Sequence, residues 1–312
     1  MRCDNWYLVN NEPGLFIHAA REAKGYTMEE ISRGICSLST LSRIETGERV
    51  VDYIMIEALL ERMKVEKSEY EFILDNEEYN QYMQREEIRR LIYQKKLEIA
   101  EEKIRLYEKK HGKKELHQQF IFMQKGYLEK YKNQLAKEKV KELFYNAVIV
   151  TSSEYRKIIK QRGIFSDTEL FCMMEIIENI EDSFEREKEQ EELYEYFKWC
   201  YRKENLYPVP YRSAMKYYAE CLYENGKYER CIQMCNEILE NLYSTSKLEN
   251  RHRIFELRAR AREQVGFNEE DKKKCLKDFL TAYYVTAFYD GKEAAAKMKK
   301  HIEEVYGWQF IE

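Results

Sequence analysis

The chain has 312 residues, of which 35% are charged and 14% aromatic, and its formal net charge is −4. This length suffices for two domains and a substantial core, and the net charge gives no overall sign of nucleic-acid binding. No apolar run reaches the roughly 18 residues that a membrane-spanning helix needs, and residues 1–14 lack the apolar core of a signal peptide. We therefore expect a cytoplasmic protein that does not associate with membranes.

Glycine and proline are scarce, with 11 and 3 residues, whereas Lys, Glu, Leu and Tyr are frequent. A chain with so few residues that interrupt helices is predicted to be mostly or wholly helical.

The eight cysteines form no C-x-x-C pair. They are Cys3, Cys36, Cys172, Cys200, Cys221, Cys231, Cys235 and Cys275. Cys231 and Cys235 share a helix face, but no histidine or further cysteine lies near them in sequence. We expect small buried apolar side chains rather than disulfides or a metal site, and we expect no cofactor.

Two short helices are predicted at the start of the chain. Pro13 lies where the first helix would begin, a position that tolerates its missing N–H, and Gly25 ends that helix. Thr27 is a predicted N-cap, and Glu30 three residues later completes a capping box. Gly34 closes the second helix.

The third predicted helix lies in the stretch GICSLSTLSRIETG, residues 34–47. Leu41 and Ile44 are placed in the core, together with Ile17, Ala20 and Ile31 of the first two helices. A leucine, three hydroxyl side chains and an arginine are left on the open side: Leu38, Ser39, Thr40, Ser42 and Arg43. A fourth helix is predicted over 52–63. Four short helices in about 60 residues indicate one compact domain, 1–66, followed by a linker helix, 67–80.

Beyond the linker, helices lengthen and the sequence begins to repeat. Ala219 and Ala259 are each followed seven residues later by glycine, and then by small or aromatic residues in a second helix. Small residues at these positions let two helices cross closely, and the pattern resembles the tetratricopeptide repeat. An irregular helical bundle is the alternative. The predicted repeats in domain 81–312 are 81–112, 115–150, 167–205, 212–245 and 249–287, with a capping helix over 292–308.

The residues T-x-E-E-I-S-R-G-I-C-S-x-S-T-L-S-R-I-E-x-G, from position 27, resemble the helix-turn-helix of XRE/Cro-type repressors. The narrower stretch 34–47 is similar to peptide-pheromone-responsive regulators of Gram-positive bacteria, the RRNPP group, which join this domain to tetratricopeptide repeats. The resemblance implies an all-α fold: a lambda-repressor-like domain followed by a right-handed superhelical stack of helical hairpins. It also implies a homodimeric transcriptional regulator that binds double-stranded operator DNA and a short signalling peptide.

The resemblance assigns roles to single residues. The third helix, 37–45, corresponds to the recognition helix, so Ser37, Leu38, Ser39, Thr40 and Arg43 are candidates for DNA contact, most of them at base edges. Ser42, Thr27 and Arg49 are candidates for phosphate contact. Arg21 and Glu45 match a pair that ties the first helix to the third.

Two features depart from the family pattern. Met28 occupies a position that is often a DNA-contacting glutamine. Residues 1–63 contain seven Lys or Arg against ten Asp or Glu, although phosphate neutralisation supplies much of protein–DNA affinity. A monomer should therefore bind DNA weakly, which favours a dimer with two recognition helices one DNA turn apart.

The first helix of each stacked hairpin lines the concave face of such repeats. The predicted inner face carries aromatic, Met and charged groups of both signs, which suits a short extended peptide. Its candidate residues are Phe120, Met123, Tyr127, Asn179, Lys216, Glu220, Tyr223, Arg253, Glu256 and Arg260.

Two alternatives remain open on the sequence. The repeats could sequester a partner protein while the DNA-binding domain is vestigial, which Met28 and the acidic domain favour. An enzyme, for example a phosphatase acting on a response regulator, is disfavoured because five histidines are scattered without nucleophile–base or metal spacing. These are His18, His111, His117, His252 and His301. We therefore expect no enzymatic activity.

Overall fold

The computed structural model describes residues 13–65, 70, 72, 74–132, 136–201, 209–243, 251–266 and 268–310. Within these ranges the chain forms α-helices and no strand, so the predicted all-α class is confirmed. No helix of the described ranges is long and apolar enough to cross a membrane. The helices are α1 Pro13–Lys24, α2 Met28–Ser32, α3 Leu38–Glu45, α4 Tyr53–Arg62, α5 Asn76–Tyr93, α6 Leu97–His111, α7 Glu115–Lys132, α8 Lys137–Thr151, α9 Tyr155–Lys160, α10 Asp167–Glu178, α11 Ser183–Cys200, α12 Val209–Glu224, α13 Tyr228–Tyr243, α14 Arg251–Val265, α15 Glu269–Tyr289 and α16 Lys292–Tyr306.

The chain divides into two compact units, Met1–Ile180 and Glu181–Glu312. In the first unit, α1 to α4 enclose an apolar core that contains the five predicted core residues Ile17, Ala20, Ile31, Leu41 and Ile44. The first helix begins at Pro13 and ends before Gly25, whose positive φ of 72° suits glycine. Local capping and chain reversal therefore set the boundaries of these helices.

The remaining helices of the first unit pack as successive neighbours: α5 with α6, α6 with α7, α7 with α8, and α8 with α10. Their core includes Ala100, Ile104 and Tyr107 on α6. Gly126 of α7 lies against α8, since a Cβ there would come within 2.8 Å of the Phe144 ring. The small residues of the predicted repeats thus lie where two helices approach closely.

In the second unit, α11 to α16 also pack as consecutive neighbours. Ala219 and Ala259, which define the repeat pattern, are fully buried. The last helix, α16, begins at Lys292 and ends at Tyr306, within the range predicted for the capping helix.

The predicted repeat over 167–205 is wrong. Its two helices fall in different units: α10 packs against α8 in the first, and α11 packs against α12 in the second. The short α9, which the sequence analysis does not predict, lies between α8 and α10 in the chain. Buried residues occur on every side of α10, among them Leu170, Met173 and Ile177, so no single apolar stripe identifies its partner.

Helix α5 begins at Asn76, inside the segment 67–80 that was predicted as a linker helix, and the Asp75 side chain caps it. Residues 66–69, 71 and 73 lie outside the described residues. Of the cysteines, Cys3 also lies outside them, Cys36 and Cys200 are half-buried, and the other five are buried.

Candidate DNA-binding interface

Two capping interactions fix the starts of α2 and α3. At the start of α2, the Thr27 Oγ1 accepts from the Glu30 backbone N–H at 3.2 Å, and the Thr27 N–H donates to Glu30 Oε2 at 2.7 Å. This is the predicted capping box. At the start of α3, Ser37 Oγ accepts from the Thr40 N–H at 3.1 Å and donates to Thr40 Oγ1 at 3.0 Å. The N-terminus of α3 is therefore held in a defined position.

One side of α3 is buried and the other faces solvent. Leu41, Ile44 and Glu45 are buried, and Leu38 is 50% exposed although it is large and apolar. Thr40 is half-buried. The remaining candidate DNA-contact residues are exposed: Thr27, Ser37, Leu38, Ser39, Ser42, Arg43 and Arg49. The sequence-derived set is therefore accessible, with Thr40 accessible in part.

Arg43 and Arg49 both lie beside this surface. The Arg43 Nε is 3.8 Å from Glu48 Oε2, with both side chains more than half exposed. Arg49 donates from Nη1 to Thr40 Oγ1 at 3.2 Å, and its backbone N–H bonds the Arg43 carbonyl at 2.9 Å. Exposed ion pairs contribute little, so the Arg43 guanidinium is free to exchange Glu48 for a stronger anionic or bidentate acceptor.

Arg21 and Glu45 join α1 to α3, as the sequence analysis predicts. Arg21 Nε is 2.7 Å from Glu45 Oε1, and Arg21 Nη2 is 3.0 Å from Oε2. His18 Nδ1 is also 2.9 Å from Glu45 Oε2. Burial alone raises the pKa of Glu45, but the hydrogen bonds from Arg21 and His18 outweigh it, and the net pKa is lowered. The pair holds α3 in place from the side opposite the exposed surface.

A second buried ion pair, which the sequence analysis missed, involves Arg62 at the end of α4. Arg62 and Glu169 are 0% and 1% exposed, with Arg62 Nη2 2.6 Å from Glu169 Oε1. Thr151 and Ser152 hydroxyls donate to the same oxygen, each at 2.7 Å, and the Ser166 N–H donates to Oε2 at 2.6 Å. All available lone pairs of the carboxylate are therefore engaged.

Burial by itself raises the pKa of Glu169, but the Arg62 charge and its hydrogen bonds, with those of Ser152 and Thr151, lower it to about 2. Arg62 also donates to the carbonyls of Ile31 and Arg33, at the end of α2. The network thus connects α2 and α4 to α8 and α10. An arginine at the end of the fourth helix, shortly after its buried apolar residues Leu59 and Leu60, is the one sequence signal that could have indicated it.

Further polar contacts join the four N-terminal helices to the helices that follow. Glu57 Oε2 of α4 lies 3.1 Å from Arg85 Nη2 of α5, and both side chains are buried. Lys64 donates to Asp167 at 3.1 Å, and Arg33 donates to the Ile164 carbonyl at 2.7 Å. These contacts join the four N-terminal helices, and with them α3, to the helices that follow in the first unit.

Six of the ten candidate peptide-binding residues lie on neighbouring helices of the second unit. Lys216, Glu220 and Tyr223 are on α12, and Arg253, Glu256 and Arg260 are on α14, which packs against α12. Lys216 Nζ is 3.6 Å from Glu220 Oε1, and Arg260 Nη2 is 2.8 Å from Glu256 Oε1. Arg253 is exposed and the other five are half-buried.

Burial raises the pKa of Glu220, and the nearby charges of Lys216 and Arg253 oppose that rise. Charges from both helices therefore reach the same carboxylate. We call this set of six residues the α12–α14 face.

The other four candidates lie in the first unit, and two of them are buried. Phe120 is buried, with the Arg89 guanidinium carbon 5.2 Å from its ring centroid. Asn179 is also buried, and its Nδ2 donates to the Glu175 carbonyl at 2.7 Å. The expectation that Phe120 and Asn179 line an open groove is therefore wrong.

Met123 and Tyr127 are half-buried on α7. The Tyr127 ring packs edge-to-face on Phe144, with centroids 5.0 Å apart. Tyr127 thus contributes to the packing of α7 against α8, and part of its side chain remains exposed.

Comparison with known proteins agrees with this architecture. Residues 17–70 match the family model described as Helix-turn-helix. The crystal structure of Bacillus thuringiensis PlcR in complex with the peptide PapR7 and DNA is similar over 92% of this chain and 99% of that chain, at 16% identity and a TM-score of 0.54. The apo form of the competence regulator ComR from Streptococcus vestibularis is similar over 94% of this chain and 98% of that chain, at 13% identity and a TM-score of 0.49.

A comparison with curated proteins gives no match. The family match over residues 17–70 shows that the four N-terminal helices form a helix-turn-helix domain. The likeness to PlcR establishes a common fold over nearly the whole chain.

Proposed function

We propose that this chain is a transcriptional regulator that binds operator DNA through α3 and a short signalling peptide through its helical hairpins. The observation that carries the proposal is the exposed hydroxyl- and arginine-bearing face of α3 within a helix-turn-helix domain. The similarity of fold to PlcR, whose structure contains a peptide and DNA, supports the combination of the two ligands. A regulator of this kind acts in the cytoplasm and needs no enzymatic activity.

The candidate residues on and around α3 fall into two groups, those that contact base edges and those that contact phosphate. Leu38, Ser39 and Thr40 lie at its N-terminal end, the part that enters the major groove in this class of domain. Arg43 lies one turn further on, and an arginine there pairs with guanine through two hydrogen bonds. The flanking residues contact phosphate, which positions the helix without reading sequence; they are Thr27, Ser37, Ser42 and Arg49.

The charges of the domain argue for a homodimer. Of its few cations, Arg21 and Arg62 are engaged in buried ion pairs, which leaves Arg43 and Arg49 as the arginines beside the α3 surface. Few phosphate contacts give weak binding and a shallow dependence on salt. Two copies that bind two half-sites double the number of contacts and so raise the affinity.

The DNA-binding part is tested with the full-length protein and fragmented genomic DNA of its host, followed by footprinting of the recovered sites. We expect a palindromic footprint that weakens at least tenfold in Arg43→Ala, since one good base contact contributes about 1–3 kcal/mol. The matched control is Arg105→Ala, which removes an exposed arginine of α6 whose ion pair is with Glu102. Loss of the footprint in both variants, or in neither, would contradict the role of α3.

The peptide-binding part rests on the α12–α14 face, which offers groups of both charge signs and a tyrosine to an extended backbone. Purification from the native host followed by mass spectrometry tests whether a short peptide is retained. We expect a bound peptide in the wild type and its loss in a Glu220→Gln, Arg253→Ala double variant. A regulated response also requires the peptide to bind one arrangement of the repeats more tightly than another.

A second candidate function is a protein-sequestering role for the repeats, which the acidic charge of the N-terminal domain favours. This role predicts that the protein gives no salt-sensitive DNA footprint. It also predicts a protein partner whose binding does not involve α3. The footprinting experiment above separates the two candidates.

A further inference from the structure

Helix α15 has one side in the core of the second unit and one side in solvent. Its core side includes Cys275, Phe279, Ala282 and Thr286, all buried. At 3.6 residues per turn, the side opposite these residues carries six side chains, which we call the α15 outer face: Lys273, Lys277, Leu280, Thr281, Tyr284 and Phe288.

The C-terminal half of the α15 outer face is unusually apolar for a surface. Tyr284 is 56% exposed and Phe288 is 80% exposed. Leu276 and Leu280 extend this apolar surface toward the N-terminal half, where they line a shallow groove with Lys273 and Tyr284. Exposed aromatic surface of this kind marks an interaction site.

The N-terminal half carries two cations without a partner in the described part of the chain. Lys272 and Lys274 are close to Glu269 and Glu270 on their own helix. Lys273 and Lys277, which belong to the outer face, form no ion pair or hydrogen bond through their ammonium groups among the described residues. Their charges are therefore available to a partner.

The lysines of the N-terminal half and the aromatic residues of the C-terminal half lie at equal distances from the midpoint between Leu280 and Thr281. Phe288 lies as far after this midpoint as Lys273 lies before it, and Tyr284 and Lys277 are related in the same way. If two copies of α15 pack antiparallel about a two-fold axis there, each lysine meets an aromatic ring of the other copy. Ammonium groups over aromatic rings attract, and a two-fold interface uses one patch twice.

We propose that the α15 outer face is the surface through which two copies of this chain associate. The self-complementary order of lysines and aromatic residues favours a second copy over an unrelated protein as the occupant. This inference rests on the proposed function in one respect, since it supplies the contact for the homodimer argued there. Because a single helix face is a small interface, we expect a weak dimer whose dissociation is observable at micromolar concentrations.

The test is sedimentation velocity of the full-length protein over a range of micromolar concentrations. We expect Tyr284→Lys to weaken the dimer at least tenfold, because it replaces the lysine–aromatic contact by two facing lysines. The double variant Lys277→Glu, Tyr284→Lys is expected to regain the dimer, since the same positions then form ion pairs across the axis. Tyr93→Lys is the control, because Tyr93 is an exposed tyrosine of α5, 85% accessible, and lies outside the α15 outer face.

A wild-type protein that stays monomeric overturns the inference, and so does a dimer that Tyr284→Lys leaves unchanged. A monomer that captures a different protein through this face overturns it as well. Circular dichroism of each variant checks that the helices are intact. A dimer without a DNA footprint would contradict the proposed DNA binding alone. A monomer with a footprint would contradict the homodimer and the assignment of this surface, and would leave the proposed DNA binding standing.

Discussion

Arg62 and Glu169 join two parts of the first unit that are 107 residues apart in the chain. Moving either charge alone out of water is costly, and their attraction compensates only because hydrogen bonds satisfy the rest of the carboxylate. No pattern in the sequence indicates which acid faces Arg62, since the two residues meet only after the helices have packed. For this reason this fully buried ion pair could not be predicted from the sequence.

Glu169→Gln is expected to lower the free energy of unfolding by about 3 kcal/mol or more, because it leaves the buried Arg62 charge without a counter-charge. Urea unfolding measures the loss. The matched control is Glu154→Gln, which removes one partner of an exposed pair with Lys157 and should cost no more than about 0.5 kcal/mol. Equal losses in the two variants would show that the buried pair is not stabilising.

His111 is expected to make the free energy of unfolding of the first unit depend on pH above the range in which carboxylates titrate. Its ring stacks on His117, with centroids 5.1 Å apart. Burial, followed by the charges of His117 and Lys110, lowers the pKa of His111 to about 4. In the unfolded chain a histidine titrates near 6.5, at roughly neutral pH. Between these two values the unfolded chain binds more protons than the folded one.

The free energy of unfolding is therefore expected to fall as the pH decreases from about 6.5 toward about 5, by up to about 1.4 kcal/mol per pH unit for one proton. His111→Phe should reduce this slope by the same amount. Urea unfolding over that pH range provides the measurement. Above about pH 7.5, where His111 is neutral in both states, the difference between the two proteins reports packing alone. An unchanged slope in the variant would contradict the assignment.

At the scale of helices, boundaries were predictable where the signal is local. Pro13, Gly25 and the Thr27 capping box set the ends of α1 and the start of α2 within a few residues of sequence. The exposed face of α3 was predictable for a similar reason, because a short helix with two apolar core positions leaves only one side for other contacts. The candidate DNA-binding set is therefore the part of the site that sequence defines best.

Helix pairing was not predictable in the same way. The choice of partner for α10 depends on contacts with α8 and α4 that form between distant segments. Phe120 and Asn179 illustrate the same limit for the ligand site: a helical stripe shows that residues share a face but not whether that face is buried. In the first unit the repeat pattern therefore identified the packed hairpins α5–α6 and α7–α8 but not the exposure of Phe120 and Asn179.

Gly34 allows a close approach between the α2–α3 turn and the end of α8. Its φ is 68°, and a Cβ at this position would lie 2.0 Å from the Thr151 carbonyl oxygen. Gly25 has a similar φ of 72°, but a Cβ there would meet nothing within 4 Å. The two glycines thus share the backbone requirement and differ only in the space around them.

Gly25→Ala is expected to destabilise the protein by about 1–2 kcal/mol, the cost of a left-handed conformation for alanine. Gly34→Ala should cost at least about 2 kcal/mol more, because the backbone of α8 must move away or the turn must open. Urea unfolding of both variants separates strain from steric clash. Similar losses would mean that the turn does not depend on its contact with Thr151.

At the scale of the molecule, the first unit combines the helix-turn-helix with helices of the repeat region. Its N-terminal core cluster includes Leu116 of α7, and Ile164 from the segment before α10 packs against it. The ion pairs of Arg62, Glu57 and Lys64 cross the same boundary. A domain attached by apolar and buried polar contacts does not behave as an independent module on a flexible linker.

Helices α1 to α4 are therefore expected to open together with α7, α8 and α10 rather than on their own. Native-state hydrogen exchange of the full-length protein tests this, since amides in one cooperative unit share one opening free energy. Glu169→Gln should lower protection in α4 and α8 by the same amount, because the Glu169 network supports both. In Glu154→Gln, protection should stay as in the wild type. If α1 to α4 exchange through a separate, lower-energy opening that Glu169→Gln leaves unchanged, the buried network does not couple the DNA-binding helices to the repeats, and a ligand signal would need another route to α3.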